Sequence, residues 1–98
     1  MQHSVEIDVV DFRWDEGNLA HCVRHDVTPV VVVEVKDRAP LFFLNDPGQT
    51  GSHVMIGPDG SGRFWTIIIL PAENVGEWKA ITGWPSDNAE IRKYNGET

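Results

Sequence analysis

The sequence has a single cysteine, no long apolar run and few basic residues. With Cys22 alone, an internal disulfide is excluded, and because this residue falls in a helical pattern we interpret it as a small buried thiol in a reducing cytoplasm. The longest apolar runs, residues 29–33 and 67–71, are far too short to cross a bilayer. The first residues lack the basic and apolar regions of a signal peptide, so we expect a cytoplasmic protein with no membrane partner.

Eight lysines and arginines stand against fifteen aspartates and glutamates, which gives a formal net charge of −7. A domain that grips nucleic acid usually presents a basic face, because neutralising phosphates supplies most of the affinity. The acidic balance therefore argues against general nucleic-acid binding, although it leaves room for a local basic cleft. With 98 residues and 41% hydrophobic content, residues 1–98 have the length and composition of a single globular domain.

The first part of the sequence predicts one strand followed by two helices. Residues 5–10 alternate between apolar and polar types, as a half-buried strand does. Asp15 is placed to cap a helix that ends at His25. The valine-rich segment 29–36 is ambiguous, because valines favour a strand, whereas the Thr28-Pro29 pair is a typical helix start. We predict a helix there.

The second part of the sequence predicts a run of strands and a closing helix. The strands are expected at residues 41–44, 53–57, 63–70 and 77–83, with a loop at 45–52 and a hairpin connection at 58–62. Residues 63–70 are apolar on both faces and should form the central strand. Ser86 is the expected cap of a helix that ends at Tyr94. The predicted class is α+β, with an antiparallel-rich sheet of four to five strands covered mainly on one face, two N-terminal helices and a C-terminal helix.

Three stretches between residues 12 and 94 follow one another in the order and spacing of a known family. They are Phe12-Arg13-Trp14-Asp15 with Asn18 and Arg24-His25-Asp26-Val27-Thr28-Pro29; Ile56-Gly57 with Gly62-Arg63-Phe64; and Ala80-Ile81-Thr82-Gly83-Trp84-Pro85 with Glu90 and Arg92 to Tyr94. Together they resemble the BrnT-like family, the toxins of bacterial type II toxin–antitoxin systems. The resemblance implies a fold like that of RelE ribonucleases.

The resemblance also implies an activity, a metal-independent mRNA endoribonuclease that needs no cofactor and is held inactive by a cognate antitoxin protein. In such enzymes basic groups stabilise charge on the scissile phosphate, and a basic or aromatic group assists attack by the ribose 2′-hydroxyl. The residues that match the family's site are Arg63, Lys79, Arg92, Tyr94 and His25. We expect the first four to line a shallow cleft beside the sheet.

Several positions depart from the family's pattern, and most of them remove positive charge. Trp84 and Ser52 stand where arginines are common, Asp87-Asn88 begins a helix that is often basic, and Asp26 replaces a glycine. Because each well-placed charge contributes substantially to transition-state stabilisation, the loss of several could abolish cleavage. A second hypothesis therefore stays open, in which the same fold is catalytically inactive and serves as a protein-binding module.

Other motifs have ordinary structural explanations. His25 is either a general acid–base group or, as we favour, a structural residue that interacts with the last carbonyls of its helix. His21 and His25 have the spacing of helical zinc ligands, but no further ligand completes a set, so no metal site is predicted.

The glycines around Asp59 lack the lysine of a phosphate-binding loop and predict a hairpin turn. Trp84 is the best candidate for an altered interaction surface.

Overall fold

The computed structural model describes residues 3–96, which form an α+β fold. In chain order the elements are β1 (Asp11–Phe12), α1 (Glu16–Arg24), α2 (Pro29–Lys36), β2 (Leu41–Leu44), β3 (His53–Pro58), β4 (Phe64–Pro71), β5 (Glu77–Pro85) and α3 (Asn88–Tyr94). The five strands form one sheet in the order β1-β5-β4-β3-β2. The β1–β5 pair is parallel and the other three pairs are antiparallel. The predicted fold class is thereby confirmed.

The two N-terminal helices begin where their capping residues predict. The Asp15 side chain accepts a hydrogen bond from the backbone of Asn18, whose own side chain accepts one from the backbone of Asp15. Thr28 caps α2 by accepting from the backbone of Val31, and Pro29 takes the first helical position. The local cap signals therefore outweigh the strand propensity of the valines, and the predicted second helix is confirmed.

The core lies between helices α1 and α2 and one face of the sheet, which we call the core face. Trp65, Ile67 and Ile69 alternate along β4 towards this face and are buried. Val32 and Val35 of α2 are buried in the same cluster. Because β4 pairs with a strand on each side, it is central, as its apolar pattern predicted.

Helix α3 lies on the opposite face of the sheet, which we call the α3 face. The rings of Tyr94 and Phe64 meet edge to face, with their centroids 5.1 Å apart. The ammonium group of Lys93 lies 4.4 Å from the centre of the Phe43 ring. Phe64 and Phe43 alternate with residues that point to the core face, which places α3 on the other side. One seven-residue helix covers only part of this face.

Asp87 caps α3, so the prediction that Ser86 would do so is wrong. The Asp87 side chain accepts from the backbone of Glu90, and the Glu90 side chain accepts from the backbone of Asp87. Ser86 is still held by the sheet, because its backbone N–H donates to the Phe64 carbonyl and its hydroxyl bonds that of Thr66. The extension of β5 to Pro85 therefore moves the helix start one residue along the chain.

The predicted strand at residues 5–10 is also wrong, and this segment is a strap that joins two parts of the sheet. Val5 forms an isolated bridge with Phe42 of the edge strand β2, and the chain pairs with β5 only at β1. Between these points Ile7 and Val9 pack against the core. The alternation of apolar residues therefore reflects packing against the core and not a hydrogen-bonded ladder.

Candidate functional site

Two of the residues that the family resemblance assigns to a site, Arg63 and Lys79, lie at opposite ends of β4. Arg63 precedes the strand in the hairpin connection, whereas Lys79 pairs with Leu70 near the strand's end. A stretch of extended chain from Arg63 to Leu70 spans roughly 20 Å. The two residues therefore do not line one cleft, contrary to the expectation.

Arg63 stands beside a buried carboxylate at the hairpin end of β4. Its guanidinium carbon lies 4.7 Å from the centre of the Trp65 ring, whose Nε1 donates to Asp59 at 2.9 Å. Asp59 also accepts from the backbone and hydroxyl of Ser61, at 2.8 and 2.7 Å, and from the backbone of Arg63 at 3.1 Å. These donors, the Trp65 indole above all, lower the pKa of Asp59 to about 2. Asp59 thus anchors the hairpin and orients the indole beneath Arg63.

Arg92 and Tyr94 belong to α3, whose C-terminal end meets the same end of the sheet. The Tyr94 ring contacts Phe64, the residue that follows Arg63. The Tyr94 hydroxyl donates to the carbonyl of Ala39 at 3.0 Å. Arg92 is exposed on the same helix. The structure therefore brings the segments that carry Arg63, Arg92 and Tyr94 together, but the Tyr94 hydroxyl is engaged with the backbone.

Lys79 is part of a set of exposed ion pairs near the start of α1. Its Nζ lies 3.3 Å from an Asp15 carboxylate oxygen, and Arg13 is 3.2 Å from Glu77. The pKa of Asp15 is lowered, first by the backbone hydrogen bond from Asn18 and then by the bond to Lys79. Lys79 therefore contacts a helix cap, and a nearby cavity of about 150 Å³ carries charges of both signs.

His25 is the C-cap of α1, about 15 Å along the helix from the Asp15 cap. Its backbone N–H donates to the Cys22 carbonyl, and its exposed ring is tilted against that of His21 with centroids 5.0 Å apart. This position agrees with a structural residue at a helix C-terminus. Across the described residues 3–96, no three His, Cys, Asp or Glu side chains are grouped to hold a metal ion.

Cys22 is a buried thiol, as the sequence predicts. Its side chain is inaccessible to solvent, and its Sγ lies 3.4 Å from the carbonyl oxygen of Ala80. Burial raises the pKa of the thiol to about 11. Because the reactive thiolate is disfavoured at neutral pH, Cys22 contributes to packing and not to nucleophilic chemistry.

The part of the α3 face that α3 leaves uncovered holds a groove. It consists of two adjoining cavities of about 290 and 210 Å³, which share Asn45, Ile68 and Trp84 as lining residues. Ile56 and Ile68 lie in its floor, and the loop of residues 45–52 forms one side. We call this feature the Trp84 groove. The sequence pointed to it only through Trp84 itself.

Trp84 is fixed in orientation although it is exposed. It lines both cavities and keeps 40% of its surface accessible. Its Nε1 donates to both carboxylate oxygens of Glu90, at 3.1 and 3.0 Å, while the same carboxylate caps α3 at Asp87. The backbone of Trp84 pairs with Thr66 in the β4–β5 ladder. The start of α3 therefore holds an accessible indole in a single position between the cavities.

The loop of residues 45–52 is shaped by hydrogen bonds from the Asn45 side chain, and it lies against the α3 face at Gly51. The Asn45 side chain donates to the carbonyls of Thr50 and Gly51, at 3.0 and 3.2 Å. Gly51 has a φ of 87°, and a Cβ at this position would overlap Cγ2 of Ile68. Only glycine allows so close an approach, so the loop forms a firm side of the Trp84 groove.

The charges along the Trp84 groove are mainly negative. Asp46 lies on the loop and Glu90 on α3, and Asp87 is exposed beside Glu90. The cation of the groove, Lys93, rests its ammonium group against the Phe43 ring. The acidic balance of the whole chain therefore extends to this surface, which would complement a positively charged molecule.

No family model, no curated protein and no solved structure matches this chain. Within the described residues, no helix is long and apolar enough to span a membrane.

Proposed function

We propose that this chain is a cytoplasmic protein-binding module and that the Trp84 groove is its binding surface. The observation that carries the proposal is the Trp84 indole, which is accessible, is held by Glu90 and lines two adjoining cavities. Tryptophan is enriched at protein interfaces and among the residues that dominate binding energy. An indole that is already ordered loses less conformational entropy when a partner binds.

The arrangement of the basic residues supports binding over RNA cleavage. Catalytic groups must stand close to the reacting atoms, at about 3–3.5 Å. Arg63 and Lys79 are separated by most of the length of β4, and Lys79 contacts Asp15. The hydroxyl of Tyr94 donates to a backbone carbonyl. A single scissile phosphate could therefore contact only some of the residues that the resemblance assigns to the site.

A second candidate function is the BrnT-like mRNA endoribonuclease, with an antitoxin as its partner. The helices and strands follow one another in the order predicted from the sequence, and the family itself rests on the resemblance of the three stretches between residues 12 and 94. The convergence of the segments that carry Arg63, Arg92 and Tyr94 at one end of the sheet favours this candidate. In this function Arg63 would stabilise phosphate charge, and the cleft would lie at the hairpin end of β4.

Photo-crosslinking in cells tests the binding function. A photoreactive amino acid at Gln49, an exposed residue on the loop side of the groove, should link the chain to one discrete partner protein. The same amino acid at Val75, which is 99% exposed in the β4–β5 turn, is the matched control and should give no such product. Trp84→Ala should abolish the product from Gln49, and Trp84→Phe, which keeps a ring but loses the bond to Glu90, should weaken it. Equal products from Gln49 and Val75, or none from Gln49, would contradict the proposal.

Growth arrest and mRNA cleavage on induced expression test the second candidate. Under the binding proposal, folded wild-type protein causes neither effect. Arrest with mRNA cleavage that is relieved by Arg63→Ala, in a variant with unchanged thermal unfolding, would establish the nuclease. It would also replace binding as the primary function.

A further inference from the structure

We infer that the Trp84 groove binds an extended segment of the partner protein that carries both apolar and basic side chains. The apolar side chains would enter the two cavities, and lysine or arginine side chains would meet the carboxylates along the groove. The inference rests on the proposed function, to which it adds the conformation and the chemistry of the partner.

The shape of the groove favours an extended segment over a helix. Its floor residues Ile56 and Ile68 are only 1% and 7% exposed, so the floor offers little apolar surface. A helix is about 10–12 Å across and needs a broad apolar trough. An extended chain instead places alternate side chains on one face about 6–7 Å apart. Two small adjoining cavities that share the Trp84 indole suit that arrangement.

The charges along the groove favour basic side chains on the partner. The contacts of Glu90 with the Trp84 indole and the Asp87 backbone are to neutral donors, so these contacts leave its negative charge in place. Asp46 adds a second carboxylate on the opposite side, so two carboxylates and one lysine, Lys93, line this cavity. Screening in physiological salt limits such attraction to roughly 8 Å, so cations must lie in or beside the groove to benefit.

The same charge argues against a second copy of this chain as the occupant. Each copy carries a formal net charge of −7, so pairing two acidic surfaces brings like charges together. A basic segment of another protein has no such cost. The charge balance therefore favours a heterologous partner over a second copy of this chain.

Selection of short random peptides displayed on phage, with the full chain as bait, tests the inference. The enriched peptides should combine large apolar residues with lysine or arginine, and should tolerate proline, which a bound helix would not. Asp46→Asn removes a charge and keeps the shape, and should weaken binding about two- to fivefold in low salt, with a smaller difference in high salt. Glu73→Gln, which removes an exposed carboxylate in the β4–β5 turn, is the matched control and should leave the affinity unchanged.

The outcomes separate this inference from the proposed function. Peptides that require Trp84 but are acidic or neutral, or that bind only as helices, would overturn the partner chemistry and leave the binding function in place. A dimer in sedimentation analysis that Trp84→Ala dissociates would overturn the inference in favour of self-association. Absence of any Trp84-dependent peptide would also overturn it, while the crosslink from Gln49 decides the proposed function independently.

Discussion

The two ends of β4 are stabilised in different ways. At the hairpin end, the Asp59 side chain accepts four hydrogen bonds from uncharged donors, and the residue is only 9% exposed. At the other end, the Lys79–Asp15 and Arg13–Glu77 pairs are open to solvent. Hydrogen bonds to a buried charge contribute more to stability than exposed ion pairs do. The number of charged contacts is therefore a poor guide to which end of the strand stabilises the fold.

The largest effect is expected from Asp59→Ala. This change leaves the Trp65 indole N–H without its acceptor in a buried position and removes three further bonds that shape the hairpin. We expect the free energy of unfolding to fall by about 2–3 kcal/mol, measured by urea denaturation. Asp46→Ala, at an exposed carboxylate on the 45–52 loop, is the control and should change little. Equal losses of unfolding free energy in the two variants would show that the hydrogen bonds of Asp59 do not stabilise the hairpin end of β4.

The acid dependence of stability follows from the same carboxylate. The pKa of Asp59 is about 2 in the folded protein, below its ordinary value of 3.8. The unfolded state therefore binds the proton more readily, and the contribution of Asp59 is complete above about pH 4 and is lost as the pH falls towards 2. Asp59→Asn should remove this part of the pH dependence.

A smaller effect is expected from glycine substitutions at the two turns that flank β4. Gly62 and Gly76 both have positive φ, at 89° and 86°. A Cβ at Gly62 meets open space, whereas one at Gly76 lies 2.9 Å from Cγ2 of Val10. We expect Gly62→Ala to cost about 1 kcal/mol from backbone strain alone and Gly76→Ala about 2 kcal/mol, as thermal unfolding would measure. A reversed order would show that the Val10 contact relaxes without cost.

The smallest effect is expected from Lys79→Gln. The change removes one exposed ion pair, which solvent and salt already weaken. The midpoint of urea denaturation should stay within experimental error of the wild type, and any difference should disappear in high salt. A loss as large as that of Asp59→Ala would mean that the two ends of β4 do not differ in the way described.

Local signals in the sequence predicted most of the fold. The cap at Thr28 and the proline after it identified α2 despite its valines, because these residues satisfy or remove the unpaired N–H groups of the first turn. The prediction failed for the strap at residues 5–10. Apolar alternation reports which side chains are buried, and it does not report whether the backbone pairs with a strand or packs against a core.

The site was less predictable than the fold because it depends on distances across the sheet. The resemblance placed Arg63 and Lys79 in one set by their order along the chain, but the register of β4 with β5 puts them at opposite ends. The Trp84 groove brings together the 45–52 loop, β4 and the start of α3, and it includes a close approach of Gly51 to Ile68. Neither feature has a periodic signature in the sequence.

The strap at residues 5–10 depends on a strand that is synthesised much later. It leads directly into β1, where Phe12 pairs with Trp78 of β5. At typical rates of translation the ribosome reaches Trp78 several seconds after Phe12. During that interval Ile7 and Val9 have no complete surface to cover them and are open to chaperones or to other nascent chains. The strap can therefore complete its packing only after β5 has been synthesised, whatever its own folding preference.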